Sequence, residues 1–253
     1  MIKRPIQIIL FFTLCILFTS CSVYEDVYFN EDGTVSYSLK YDASQILAMA
    51  PDALSRNSNS STMPSDSTFS IADVMEEHKD SLHLLPAEKR EILEAIKPFS
   101  IALKSDSISK EFNISLNGDF ESADAMNAAF IALQRIYKEQ GSKKGIMDAK
   151  AKFDINYSSS HYSWDGKKMS RTIIIEEETA ETPNENVKGY QEMVMLFSGG
   201  KMITRYHFPQ RVTSVDKEKA LFSQDGKTIV IEQAATTHLK PTAEEFDITI
   251  ETE

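Results

Sequence analysis

Apolar and polar residues alternate along much of this chain with the period of two that is typical of half-buried strands. The alternating segments come in pairs, and three pairs surround an Asp-Gly step, at Asp32-Gly33, Asp165-Gly166 and Asp225-Gly226. Because glycine reaches the positive φ angles of a tight turn without strain, each step predicts a β-hairpin. Further strands are predicted over residues 99–105, 110–117, 153–157, 201–208 and 246–250.

Helical spacing of apolar residues appears between these strands. Residues 121–140 carry the clearest helical pattern. Ser70 is a residue type that commonly caps helices, and it predicts the start of one helix. Leu85-Pro86 begins a second helix that Pro98 ends. Shorter helices are predicted after Asp42 and over residues 187–198, where a strand is the alternative.

The order of these elements indicates the fold class. The strands come as hairpins and do not alternate one for one with helices. This order favours an α+β fold, with an antiparallel sheet built of hairpins and several helices packed on one face. Residues 51–69 are rich in Ser, Asn and Pro, which predicts a mobile loop within a single domain over residues 27–253.

The N-terminus has the organisation of a targeting segment. Lys3 and Arg4 precede an apolar run from Ile6 to Phe18. At 1.5 Å per residue this run spans roughly 20 Å as a helix, which is too short for a bilayer core of ~30 Å. Small residues follow, as a processing enzyme requires. We therefore predict a signal peptide over residues 1–20.

The residue after this segment is a cysteine, Cys21. The run from Leu17 to Cys21 resembles the lipobox of bacterial lipoproteins, and an ordinary signal peptide with an incidental cysteine is the alternative. The resemblance implies cleavage before Cys21 and acylation of its sulfur, of the palmitate type. Two or three acyl chains anchor a protein stably. Residues 21–26 would then be a short lipid tether.

The resemblance also implies a location. Ser22 stands where an aspartate favours retention in the inner membrane, so the outer membrane of the cell envelope is implied. Glu25 and Asp26 are similar to the acidic surface-export tags of Bacteroidetes lipoproteins. The sequence leaves open whether the domain faces the periplasm or the cell surface.

The charge balance excludes some partners. The chain has 27 basic and 38 acidic residues and a net charge of -11. Nucleic-acid binding needs a basic patch, so we expect no nucleic-acid partner. Electrostatic docking on an anionic leaflet is disfavoured for the same reason. The expected membrane contact is through the acyl chains on Cys21.

Motifs that carry chemistry are not found. The chain has no nucleophile elbow, phosphate loop or calcium-binding loop. Processing would leave Cys21 as the one cysteine, which excludes a disulfide and a thiolate zinc site. We therefore expect no catalytic residues, no metal and no cofactor. The histidines, interpreted as surface or partly packed residues, are His78, His83, His161, His207 and His238.

Aromatic residues on the predicted strands are the remaining candidates for a ligand site. Tyr28, Tyr162, Trp164 and Tyr206 could line a face that binds a glycan or a lipid. Aromatic residues on half-buried strands more often belong to the core or to cross-strand pairs, and that interpretation is favoured.

Two stretches together are similar to a known family. Asn30 to Thr34 and the alternating Tyr37 to Tyr41 lie near the predicted mature N-terminus, and Tyr206 to Val215 is followed by Asp225 to Thr228. This combination resembles the LppM-type domain of bacterial lipoproteins, especially uncharacterised relatives in Bacteroidetes. Gln210 departs from the glycine that often follows Phe-Pro there. The resemblance implies an α+β domain displayed at a membrane and no catalytic residues.

These features favour a membrane-anchored lipoprotein with a non-catalytic domain that binds an unknown envelope protein or amphipathic ligand. A carrier of lipid or another apolar ligand is the first alternative. An envelope hydrolase is the second, since two carboxylates can converge in space without a sequence motif.

Overall fold

The computed structural model describes part of the chain, and within that part it has twelve strands, five α-helices and one 3-10 helix. The described residues are 22–42, 44, 66–106, 109, 111–140, 159–174, 191, 194–195, 197–239 and 241–253. The predicted α+β class is confirmed.

The strands form two sheets, where the sequence predicts one. The larger sheet has the order β10-β11-β8-β1-β2-β5-β4-β3, and the smaller has the order β6-β7-β12-β9. All neighbours are antiparallel except β1 and β8, which are parallel. The strands are β1 Ser22–Phe29, β2 Val35–Asp42, β3 Asp66–Ser70, β4 Phe99–Asp106, β5 Glu111–Phe120, β6 Ser159–Trp164, β7 Lys168–Ile174, β8 Lys201–His207, β9 Val212–Val215, β10 Leu221–Phe222, β11 Thr228–Ala234 and β12 Ile248–Thr252.

The helices lie between these strands, as the sequence predicts. Ser70 caps the first helix by accepting a hydrogen bond from the backbone N–H of Asp73 at 3.3 Å, and the predicted helix over 121–140 is confirmed as the fourth. The helices are α1 Ile71–Glu77, α2 Lys79–Leu82, α3 Ala87–Ile96, α4 Ala123–Gln140 and α5 Ala243–Phe246, and the 3-10 helix is Ala235–Leu239.

The three Asp-Gly hairpins are confirmed. They join β1 to β2, β6 to β7 and β10 to β11. Gly33, Gly166 and Gly226 have φ angles of 84°, 94° and 71°, which an L side chain would strain. The first turn is held further by Asp32, whose carboxylate accepts hydrogen bonds from the N–H and the hydroxyl of Thr34.

The main core lies between the inner face of the large sheet and a second layer of α3, α4 and the small sheet. Phe130 on α4 contacts the rings of Tyr37, Phe99 and Tyr162, and so connects the helix with both sheets. Period-two alternation on β1 points Val23, Val27 and Phe29 inward. A second cluster around Val23, Met202 and Phe246 closes the other end.

Three predictions differ from the structure, and three others lie outside the described residues. Residues 22–26, predicted as tether, belong to β1, because Val23 is fully buried and every residue from Ser22 pairs with β2. Residues 66–69 of the predicted loop form β3 through in-register pairing with β4. The last strand begins at Ile248, after Phe246 ends α5. The signal peptide, Cys21 and the predicted strand over 153–157 lie outside the described residues.

Candidate functional site: a buried ion pair and an edge groove

The inner face of β1 carries a buried acid, Glu25, which is 3% exposed. Its Oε2 accepts hydrogen bonds from Arg171 Nη1 at 2.8 Å and Thr204 Oγ1 at 3.1 Å. Its Oε1 accepts from the hydroxyls of Tyr37 at 3.2 Å and Tyr162 at 3.1 Å. Four donors therefore saturate this carboxylate.

Arg171 comes from β7 of the small sheet and is 5% exposed. Besides Glu25, it donates from Nη1 to the Tyr206 hydroxyl at 3.1 Å and from Nε to Ser160 Oγ at 3.0 Å. Its guanidinium carbon lies 5.3 Å from the ring centroid of Tyr162 and 5.0 Å from that of Phe246. The ion pair thus fastens the two sheets together through a buried polar network.

The surroundings fix the charge state of this pair. Burial by itself raises the pKa of Glu25, but the charge and hydrogen bond of Arg171 outweigh it and hold that pKa below 4.5. Burial lowers the pKa of Arg171, and the charge of Glu25 more than offsets this. Burial raises the pKa of Tyr37 and Tyr162 well above 10. Near neutral pH Glu25, Arg171 and the two tyrosines therefore keep their protonation states, as a purely structural role requires.

Space beside the network is small. The adjoining cavity has a volume of about 10 Å³ and is lined by Arg171, Thr204, Tyr206 and Phe246 among others. A volume of this size is close to the minimum for one water molecule. This cavity is therefore too small for a substrate.

The four predicted ligand-facing aromatics do not form one surface. Tyr162 and Tyr206 are buried at 0% and 2% exposure and face the ion pair. Trp164 is partly buried against Phe29 and Phe208. Tyr28 points to the outer face of the large sheet, is 42% exposed, and stacks on His207 with 3.9 Å between ring centroids. Burial leaves Tyr162 and Tyr206 no surface for an external ligand, and a ligand contact by Tyr28 stays a prediction.

The outer face next to Tyr28 carries a second, partly exposed charge cluster. Asp26 accepts hydrogen bonds from Arg205 Nη1 at 3.2 Å, and its Oδ1 lies 3.0 Å from His207 Nε2. Burial raises the pKa of Asp26, but the hydrogen bond with His207 and the charge of Arg205 bring it below 3.8. Glu25 and Asp26, the two residues that resemble an export tag, thus lie on opposite faces of β1. Asp26 faces outward and Glu25 lies in the core.

A groove of about 990 Å³ lies at the opposite side of the large sheet from β3. One wall is the edge of β11 over residues 231–234, the other wall is the segment 217–219, and α5 with its N-cap forms the floor. We call it the edge groove. It is lined by Gly200, Lys201, Lys217, Glu218, Lys219, Ile231, Glu232, Gln233, Ala234, Thr237, Thr242, Glu244 and Glu245.

Hydrogen bonds to backbone carbonyls hold the floor of the edge groove in place. Gln233 Nε2 donates to the carbonyl oxygen of Glu245 at 2.8 Å. The ammonium of Lys217 donates to the carbonyl oxygen of Glu244. Thr242 Oγ1 accepts from the N–H of Glu245 at 3.3 Å and caps α5. Both walls are therefore fastened to the same short helix.

The lining of the edge groove has mixed charge, with three lysines and four glutamates. Lys201 and Glu232 form an ion pair at 2.9 Å. Mixed charge disfavours a polyanion or a polycation as the bound partner, and it fits a neutral or mixed-sign chain.

The described residues contain neither a metal-binding cluster nor a membrane-spanning helix. Among the described residues, no group of three or more His, Cys, Asp or Glu side chains is arranged to hold a metal ion. Within those residues, no helix has both the length and the apolar character needed to cross a bilayer.

Comparison with solved structures finds distant similarity in fold. No protein-family model matches the chain, and no curated protein matches it. The NMR structure of the folded domain of Mycobacterium tuberculosis LppM is similar over 92% of this chain and 91% of that chain, with 8% identity and a TM-score of 0.40. A relationship at this distance carries no argument about function, and the link to Bacteroidetes relatives stays a prediction.

Proposed function

We propose that this protein is a lipid-anchored, non-catalytic binding module of the cell envelope, and that it holds a partner in the edge groove. The observation that supports this most is the groove itself, a broad, open concavity of about 990 Å³ whose walls are both hydrogen-bonded to α5. Binding sites are usually concave, largely preformed and few in number.

The position of the groove fits an anchored protein. β1 begins at Ser22, directly after the residue proposed to carry the lipid, so about one residue of at most ~3.5 Å would separate anchor and fold. Val23 pairs with Met202, which pairs with Gln233 in the groove wall. Two strand spacings are ~10 Å. The edge groove would thus open at the membrane-proximal end of the sheet, within reach of other envelope components.

The buried polar groups support a binding role over catalysis. The carboxylate of Glu25 is saturated by Arg171 and its other neighbours, and the cavity that adjoins the pair, at about 10 Å³, is too small for a substrate. In the groove, Glu232 is paired with Lys201, and Glu245 accepts the hydroxyl of Thr242 at 2.8 Å. Neither the carrier nor the hydrolase alternative has a comparable observation in its favour among the described residues.

The anchor is tested first, in intact cells, by comparing wild type with Cys21→Ala for incorporation of a labelled fatty acid and for membrane association. The proposal expects both to be lost in the variant. Protease shaving then separates a surface from a periplasmic location. An unchanged label and unchanged membrane association in Cys21→Ala would contradict the anchor.

The groove is tested separately, by placing a photo-crosslinking residue at Lys219 in the groove wall and, as the matched control, at exposed Lys89 on α3. The proposal expects a discrete crosslinked envelope component from position 219 and none from position 89. Equal patterns from both positions would mean that the groove is not a binding site.

A further inference from the structure

We propose that the edge groove binds an extended peptide segment of a partner protein by strand addition to β11. This inference rests on the proposed role of the groove as the binding site. It goes further by naming the chemical class of the partner and the backbone groups that recognise it.

The first observation is a strand edge that is covered only in part. β10 has two residues, and its ladder covers Val230 and Ile229 of β11. β11 itself continues to Ala234, and over residues 231–234 it pairs with β8 on its other side. The chain before β10 turns away at Lys217, whose carbonyl accepts a hydrogen bond from the N–H of Ala220 at 3.2 Å. The edge groove occupies the space that a longer β10 would fill.

The direction of the backbone groups follows from the hydrogen bonds at both ends of β11. The N–H of Ser223 donates to the carbonyl of Thr228, so the backbone polar groups of Thr228 face β10. The N–H of Ala235 donates to the carbonyl of Gly200, so the backbone polar groups of Ala235 face β8. Backbone groups alternate sides along a strand. Glu232 and Ala234 therefore direct N–H and C=O into the groove, and no described residue pairs with them.

A different edge of the same molecule shows what a covered edge looks like. β6 is an edge strand of the small sheet, and Asn127 on α4 occupies its free side. The side chain of Asn127 donates from Nδ2 to the carbonyl of Tyr162 at 2.7 Å and accepts from its N–H at 2.8 Å. Proteins commonly cover or disrupt edges that would otherwise pair with another chain. The uncovered end of β11 lies instead along one wall of the edge groove.

The chemistry of the groove selects a peptide. Two residues that each offer one donor and one acceptor, spaced by two along a strand, complement the backbone of an added strand with up to four hydrogen bonds. The mixed charge of the walls, with Lys219 near Glu218 and Glu244, disfavours a polyphosphate and suits a peptide of neutral or mixed charge.

The test measures amide hydrogen exchange by NMR in the full-length protein in detergent micelles. The probe is acetyl-Thr-Val-Thr-Val-Thr-amide at about 1 mM, and the control is the same peptide N-methylated at every residue, which lacks the backbone N–H donors that a strand ladder needs. Strand addition expects exchange of the Glu232 and Ala234 amides to slow about tenfold or more with the probe only. The amides of Ile231 and Gln233, which already face β8, should be unaffected.

A variant pair examines the same contact from the protein side. Ala234→Pro removes an N–H that faces the groove and not the β8 ladder, and Ala234→Ser keeps it. We expect the affinity for the probe to fall about tenfold in Ala234→Pro and to stay within about twofold in Ala234→Ser. If Ala234→Pro does not fold, the exchange measurement on the wild type decides.

Three results would overturn strand addition: no protection of Glu232 and Ala234 by the probe, equal protection by the methylated control, or full protection of both amides without peptide. The last would mean that the chain fills its own groove. A discrete crosslink from Lys219 in cells together with any of these results would leave the binding function standing and remove the peptide mechanism. Loss of the crosslink as well would remove both.

Discussion

Glu25 on the large sheet and Arg171 on the small sheet form an ion pair with 2.8 Å between Oε2 and Nη1, and both side chains are about 95% enclosed, at 4% and 6% exposure. The pair is the centre of a network that includes three tyrosine hydroxyls. The contribution of this pair to stability therefore depends on how the two sheets are positioned relative to each other.

Removing one member of this pair should destabilise the protein strongly. Arg171→Met leaves the carboxylate of Glu25 buried without its counter-charge, which costs about 3–5 kcal/mol in comparable pairs. The double variant Glu25→Met/Arg171→Met removes both charges and should regain a large part of that loss. Urea unfolding followed by circular dichroism measures both. A loss below about 1 kcal/mol in Arg171→Met would show that the pair does not hold the sheets together.

The edge of β6 should depend on one side chain. Asn127→Leu removes both hydrogen bonds to the backbone of Tyr162 and leaves its buried N–H and C=O without partners, at a cost of about 2–4 kcal/mol. It also uncovers a strand edge, so self-association should increase in sedimentation experiments. Ala128→Leu, at an exposed position of the same helix, is the matched control and should change neither property.

Stability should fall between pH 7 and pH 5 because of His238. Burial is the main cause that lowers the pKa of His238 below 6.5 in the folded protein. As the pH falls through about 6.5, the unfolded chain binds this proton more readily than the folded chain does, so the free energy of unfolding decreases, by at most about 1.4 kcal/mol per pH unit. Glu25, with a pKa below 4.5, loses its stabilising effect only at lower pH.

His238→Gln isolates this effect. The Nε2 atom of His238 lies 2.8 Å from the hydroxyl of Tyr41, and a glutamine can keep a polar contact there without titrating. Urea midpoints at pH 7.5, 6.5 and 5.5 should converge in the variant and separate in the wild type. A wild-type midpoint that is flat across this range, or one that rises as the pH falls, contradicts the assignment.

Crowding should make one glycine hard to replace. A Cβ atom on Gly118 in β5 would lie 2.7 Å from Phe120 Cζ and 3.0 Å from Phe99 Cδ1, and both rings are buried in the core. Gly118→Ala should therefore cost about 1–3 kcal/mol of stability through overpacking. Ser115→Ala on the same strand should cost much less. Thermal unfolding compares the two, and equal effects would rule out overpacking as the cause.

Local patterns predicted much of this fold. Asp32-Gly33 and Asp225-Gly226 gave the hairpins because glycine at positive φ is a requirement that neighbouring residues alone impose. Ser70 predicted a helix start because capping is also a local interaction. The N-cap side chain accepts a hydrogen bond from a backbone N–H three residues away.

Partners far apart in the chain were not predictable from these patterns. Period-two alternation indicates which face of β1 is buried. It does not indicate that β8 pairs with β1 in parallel. Residues 66–70 form a strand only because β4 pairs with them, since their composition is that of a loop.

One signal for the buried pair was present in the sequence. Glu25 stands at an inward position between Val23 and Val27, and Arg171 stands likewise between Met169 and Ile173. An acid and a base at core positions of two strands indicate a buried partner for each. The edge groove had no such signal, because the early end of β10 depends on where the chain turns.

The parallel pairing of β1 with β8 has a consequence for how the chain folds. β2 follows β1 by one tight turn, whereas Arg205 on β8 meets Asp26 across 179 residues. Contacts of such long sequence separation form slowly, because loop closure must precede them. Until residues 201–207 have been synthesised, the middle strand of the finished sheet is an exposed edge strand. An exposed edge strand can pair with another chain, so we expect misassembly to be most frequent before β8 joins the sheet.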